Sequence, residues 1–179
     1  MEGEYAVSMS LVLTVIGDDR PGLVELLSET IAANGGNWLE SRMARLAGKF
    51  AGILRVSADD SKADTLRLAL AALEAHGLHV ISEISRYDDA GRAPVRLELV
   101  GADHPGIVRD VARALARRKV NVEELSTECT EAPHSGQVLF RATVEIHLPP
   151  NLSLEQLREE LESVAHDLMV DITLGQRAG

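Results

Sequence analysis

Gly17-Asp18-Asp19-Arg20-Pro21-Gly22-Leu23-Val24 returns 84 residues later as Gly101-Ala102-Asp103-His104-Pro105-Gly106-Ile107-Val108. The Gly, Asp, Pro, Gly and Val positions are kept. At the same offset Leu27 matches Val111, Ile31 matches Leu115 and Asn37 matches Asn121. Identities in one short window, followed by apolar matches at helical spacing, mark a duplicated unit of about 80 residues.

Each copy reads the same way. Met9–Ile16 is an apolar β-run, and Asp19-Arg20-Pro21-Gly22 opens a helix, with Asp able to cap it and Pro preorganised for its first turn. Leu23, Leu26, Leu27 and Ile31 share one helical face, and Asn34-Gly35-Gly36 ends it. Asn37–Ala47 and Lys49–Ala58 form a hairpin turning near Gly48. Ser61–His76 is a second amphipathic helix, and Leu78–Tyr87 a half-buried strand. In the second copy the strands are Val95–Val100, Asn121–Thr130, Gln137–Leu148 and Asp167–Leu174. Val138, Phe140, Ala142, Val144 and Ile146 are expected to point inward. The helices are Pro105–Arg118 and Ser153–His166, the latter opened by a capping box of Ser153 with Gln156.

The order β-α-β-β-α-β, twice, specifies an α+β chain of two ferredoxin-like modules. The first is placed at 6–88 and the second at 94–175, with the polar stretch 89–93 as linker. Pro133-His134-Ser135-Gly136 lengthens the middle hairpin of the second module.

Composition limits the function. The 179 residues carry 18 basic against 28 acidic side chains, a formal charge of −10. Neither half is basic, so direct binding of nucleic acid or an anionic membrane is disfavoured. Aromatics make up only 3%, too few for base-stacking platforms. A lone cysteine, Cys129, forms no internal disulfide. Met1–Glu4 is acidic and unlike a secretion signal, and no apolar run approaches a membrane span, so cytoplasm is the expected compartment.

The Asp-x-Pro-Gly loop is where chemistry is expected. The first N–H groups of a helix lack intrahelical partners, the dipole favours negative charge, and a glycine lets a small ligand approach the backbone. A carboxylate suits such a place. Asp19 or Asp103, and the amide oxygen of Asn37 or Asn121, could accept from an ammonium group. A carboxylate site beside an ammonium site describes a receptor for a free amino acid. The candidate set is Asp19, Pro21, Gly22, Leu23 and Asn37 in one copy, and Asp103, Pro105, Gly106, Ile107 and Asn121 in the other. The alternative is that Asp, Pro and Gly only cap the helix and Asn only starts a strand. Under the ligand reading, a side chain at Gly22 or Gly106 damages binding far more than folding.

The Asp-Arg-Pro-Gly-Leu-Val segment, the helix ending before Asn37, the strand after it and the repeat together resemble the ACT domain, a small-molecule-sensing module of amino-acid metabolism. The resemblance runs from about Met9 to Leu174, leaving no room for a catalytic or DNA-binding domain. A stand-alone tandem pair is most similar to the glycine cleavage system transcriptional repressor group. That likeness implies a non-catalytic, oligomeric regulator acting through a transcription activator, without cofactor. A regulatory subunit on a biosynthetic enzyme is the alternative. Some amino-acid-binding members carry His two residues before the loop acid, where this chain has Gly17 and Gly101.

Other constellations are weaker. His76 and His79 with Asp88-Asp89 suggest a metal site only if the histidines converge, and they straddle a helix end. Cys129 with His134 lacks a third orienting group. Arg109, Arg113 and Arg117 recur every four residues along one helix, as either a solvated face or a docking stripe for an acidic partner; Glu155, Glu159, Glu160 and Glu162 are its acidic counterpart.

Topology adds a constraint. In a ferredoxin-like module the second strand lies at a sheet edge, parallel to the first. Asp19 and Asn37 then stand at opposite ends of one sheet, too far apart for one ligand. Edge strands tend to be covered, so antiparallel pairing of two such edges would cross Asn121 with the Asp19 loop and Asn37 with the Asp103 loop. Trp38 either reports ligand entry or simply packs on the sheet.

Overall fold

In β1 (Ser8–Asp18), Leu11, Leu13 and Val15 are fully buried while the residues between them face the other way, the period of two that an extended strand imposes. The computed structural model describes residues 8–85, 94–132 and 136–176. The chain divides into two units, Met1–Asp89 and Ala90–Gly179. The sequence boundaries at 86–93, Tyr87 and Asp88-Asp89 among them, lie outside the described residues, as do Met1–Glu4 and Pro133-His134-Ser135.

The first unit continues through α1 (Leu23–Ala33), β2 (Gly36–Leu46), β3 (Lys49–Asp59), α2 (Asp60–Ala71), a 3-10 turn over Ala72–His76, and β4 (Leu78–Ser85). Its four strands run in the order β2-β3-β1-β4, each pair antiparallel. Leu23, Leu27 and Ile31 of α1 and Leu66 and Leu70 of α2 are buried against Leu11, Leu13, Leu54 and Val56 of the sheet. The second unit repeats this with β5 (Val95–Ala102), α3 (Ile107–Arg117), β6 (Asn121–Glu131), β7 (Val138–His147), α4 (Leu154–Leu168) and β8 (Val170–Gln176), in the order β6-β7-β5-β8. Its core joins Leu97, Leu99, Val111, Leu115, Val144, Ile146, Leu157 and Leu161. Both modules are therefore ferredoxin-like, and the chain is α+β. No helix among the described residues is long and apolar enough to cross a membrane.

Local chemistry explains the joints. Ala47 and Gly48 both take positive φ, 48° and 78°, the two-residue turn whose twist matches a right-handed hairpin. At Ser153 the capping box is complete: its hydroxyl accepts from Gln156 N while the Gln156 side chain accepts from Ser153 N.

Several expectations need correction. Asp19 and Pro21 do not begin α1, nor Asp103 and Pro105 α3. Gly22 and Gly106 are the N-caps, in the left-handed region, and no side chain caps either helix. Gly36 does not end α1; it already belongs to β2. The second helix of the first unit stops at Ala71 and tightens into the 3-10 turn before the left-handed Gly77, as final helical turns often do. Asp167 and Leu168 are helical, because pairing of β8 with β5 begins only at Val170. Val138 is 42% exposed, unlike the buried Phe140, Ala142, Val144 and Ile146.

The register fixes where the candidate residues lie. Ser10 pairs with Ser57, and Ser57 with Asn37; Asp18 pairs with Lys49, and Lys49 with Leu46. β2 is thus an edge strand parallel to β1, with Asn37 level with Ser10 and the Asp19 loop beyond Asp18. From Ser10 to Asp18 the strand climbs about 26 Å, at roughly 3.3 Å per residue.

Candidate functional site

The two loops share one backbone design. Gly22 has φ +88° and Gly106 φ +105°. The first intrahelical bonds run from Leu26 N to Gly22 O at 2.9 Å and from Asp110 N to Gly106 O at 3.0 Å. The amides of Leu23, Val24 and Glu25, and of Ile107, Val108 and Arg109, therefore precede the first residue that can donate inside its helix. The loop aspartate anchors the turn through its main chain: Asp19 N donates to Gly48 O and Asp103 N to Val138 O, both at 2.9 Å. Because φ is positive, any side chain at Gly22 or Gly106 also strains the backbone, so the glycines serve folding as well as access.

A second anchor is invisible to sequence patterning. Arg20 Nη2 donates to the carbonyl of His76 at 2.7 Å. At the matching position His104 Nε2 lies 2.9 Å from Leu168 O, while its Nδ1 lies 3.2 Å from Pro105 O. Two different side chains thus tie the loop to the segment just before the last strand of each module, the 3-10 turn in the first and the end of α4 in the second. A carbonyl facing each ring nitrogen favours the charged form of His104. The Leu168 and Pro105 carbonyls raise its pKa above the ordinary histidine value, with Asp103 and Asp110 adding to them.

Around these anchors the loops differ in charge. Asp19 pairs with Arg45 at the end of β2, Nε to Oδ2 2.6 Å. The space over Gly22 is open, and a Cβ built there would meet only Glu25 Oε2 at 3.9 Å. Gly106 is overhung by Arg109, whose Nη2 would lie 3.0 Å from such a Cβ. Arg109 grips Asp110 through Nε and Nη2 at 2.8 and 2.9 Å, and Arg113 stands 3.8 Å from the same carboxylate. These contacts, that of Arg109 first, hold the Asp110 carboxyl below its ordinary pKa.

The remaining candidates are placed as follows. Leu23 and Ile107 bury their side chains in the cores, leaving only their amides to face a ligand. Pro21 and Pro105 form the turns ahead of the helices. Asn37 and Asn121 are exposed at the far ends of their sheets, and Asn121 Nδ2 donates to Glu123. Arg109, Arg113 and Arg117 are exposed on α3, but the first two share Asp110, and the neighbouring Arg118 pairs with Glu160 of α4. The basic stripe is partly neutralised within its own module. Trp38 is half-buried against the first core. His79 reaches Glu74 at 3.3 Å, Cys129 is exposed on β6, and the described residues hold no group of three His, Cys, Asp or Glu able to bind a metal. Asp88, Asp89 and His134 lie outside the described residues.

Models of the ACT domain match residues 9–81 and 95–166. The glycine cleavage system transcriptional repressor of Escherichia coli (strain K12) is 23% identical over 162 residues, spanning 88% of this chain and 85% of that protein. A crystal structure of an unknown protein from Galdieria sulphuraria superposes with a TM-score of 0.84 at 30% identity, covering 96% of this chain and 99% of that one. A crystal structure of a proposed glycine cleavage system transcriptional repressor gives a TM-score of 0.74 at 22% identity, covering 97% and 99%. At that identity the likeness is one of fold.

Proposed function

Since the chain belongs to the ACT-domain family, with one domain in each half, we propose that it is a non-catalytic cytoplasmic regulator that senses a free amino acid and passes the signal to a transcription activator rather than to DNA. The similarity to the Escherichia coli repressor supports the regulatory role. The formal charge of −10 supports a protein partner over nucleic acid.

The observation that carries the sensing step is the repeated loop. Two helices start on left-handed glycines with no side-chain cap, so each presents main-chain donors to an anion, aided by its dipole. The ligand carboxylate binds there, and Asp19 or Asp103 receives its ammonium group. In the first loop that ammonium competes with Arg45 for Asp19. In the second, Arg109 adds a cation beside the amides.

Asn37 and Asn121 lie too far from the loops of their own modules to share a ligand with them.

A thermal-shift screen against the free amino acids, with glycine first, tests the sensing claim, since a ligand that binds only the folded state raises its stability. No shift with any amino acid contradicts it. Affinity capture of a metabolic enzyme with no transcription factor would replace the repressor reading with that of a regulatory subunit.

A further inference from the structure

The duplicated fold supplies its own control for the space between the first helix of each module and the edge strand that follows it. In the first module β2 sends Trp38 and Met43 in against the core. Trp38 is level with Leu11 through Val56, and Met43 with Val15 through Gly52. At the matching places on the second sheet stand Val122, level with Val95 through Ile146, and Thr127, level with Leu99 through Ala142. Two long side chains are thus replaced by two short ones, and every residue of β6 is exposed.

The short side chains leave an apolar hollow of about 350 Å³, counting its open mouth. Val111 and Leu115 of α3 and Phe140 of β7 line it, and Val108, Val122 and Leu125, at 43%, 40% and 48% exposed, form its rim. Every side chain around it is hydrocarbon. Such a hollow offers water no hydrogen-bond partner and costs stability while empty. A polar group entering it would lose its water and gain nothing, so the occupant is apolar. Ile107 and Val108 also line the hollow, and their amides precede Asp110, the first donor inside the helix. A ligand whose carboxylate rests on those amides therefore has the hollow beside it.

We infer that the hollow of the second module receives the side chain of an aliphatic amino acid, of the size class of leucine, held by its carboxylate at the amides of Ile107, Val108 and Arg109. The assignment rests on the amino-acid-sensing reading of the loops and adds to it the class of ligand. The first module, where Trp38 and Met43 occupy the matching space, gains nothing from such a side chain. The two halves of one chain thus differ in the ligand they favour.

Titrations of the isotope-labelled full chain with glycine and with leucine test this, because the amides of Ile107–Arg109 and of Leu23–Glu25 report the two loops separately. Leucine is expected to bind at the second loop about tenfold or more tighter than glycine, as burial of its side chain requires, and no tighter than glycine at the first. Its methyl groups should give nuclear Overhauser contacts to Val111, Leu125 and Phe140. Val122→Trp, which installs the residue of the first module, should abolish the advantage of leucine over glycine in a chain whose circular dichroism shows it folded. Should that variant fail to fold, the Overhauser contacts in the wild type decide. A second loop without preference for leucine, bound leucine without those contacts, or a preference that survives in folded Val122→Trp overturns the proposal and leaves the sensing reading standing. Loops that respond to no amino acid remove both.

Discussion

His104 Nε2 donates to the main-chain carbonyl of Leu168 at 2.9 Å, fastening the second loop to the end of α4 where the first module uses Arg20 on His76. The two fasteners differ in one respect that matters: a guanidinium stays charged at any working pH, and an imidazole does not.

The stability contributed by His104 should therefore depend on pH. Its folded pKa is raised by the Leu168 and Pro105 carbonyls, so the contribution is fully present below the ordinary histidine value and is lost as pH rises through the raised one. Urea unfolding of wild type and His104→Gln should show a gap that closes with increasing pH, whereas the gap for Arg20→Gln stays flat. An NMR titration placing His104 at or below an ordinary histidine contradicts this.

The second module holds non-glycine residues in left-handed backbone where the first has glycine. Gly35 and Gly77 have φ 73°, and their counterparts Lys119 and Met169 have φ 57° and 53°. Each costs about 1 kcal/mol relative to glycine. Lys119→Gly and Met169→Gly should each stabilise the chain by that order in denaturant unfolding, and a loss of stability in either would show that the side chain matters more than the backbone.

Gly22→Ala and Gly106→Ala should each destabilise by about 1–2 kcal/mol, because alanine is strained at such φ values. Gly106→Ala should be the worse of the two, since its φ of +105° lies farther than the +88° of Gly22 from the left-handed well at about +57°. Equal midpoints for wild type and both variants would exclude the left-handed caps.

Ser153→Ala removes one half of the capping box at α4 and should cost about 1 kcal/mol. Asp19→Asn breaks an exposed pair with Arg45 and should cost less than about 1 kcal/mol of stability while sharply weakening amino-acid affinity. A double-mutant cycle on affinity between Asp19 and Asn37 of the same chain separates the outcomes: additivity fits their places at opposite ends of one sheet, provided Asn37 is studied where only the first loop is occupied, and strong coupling refutes it.

The repeat at an offset of 84 residues, the turn at Gly48 and the Ser153–Gln156 box were legible because each is a local pattern with a local cause. The edge position of Asn37, far from Asp19, also followed from strand order alone. The Asp-x-Pro-Gly stretch misled as a cap, since it carries the residue types of an N-cap while the glycine's positive φ occupies that place. The Arg20 and His104 fasteners were not legible at all. Their acceptors are main-chain carbonyls 56 and 64 residues away, and a carbonyl leaves no trace in the sequence.

The most direct test of the sensing claim is a titration of the isotope-labelled chain with free amino acids, followed at backbone amide resonances. Leu23, Val24 and Glu25, or Ile107, Val108 and Arg109, should show the largest saturable shifts, with the loop glycines beside them. Saturable shifts elsewhere that spare both loops, or none with any amino acid, would contradict the account.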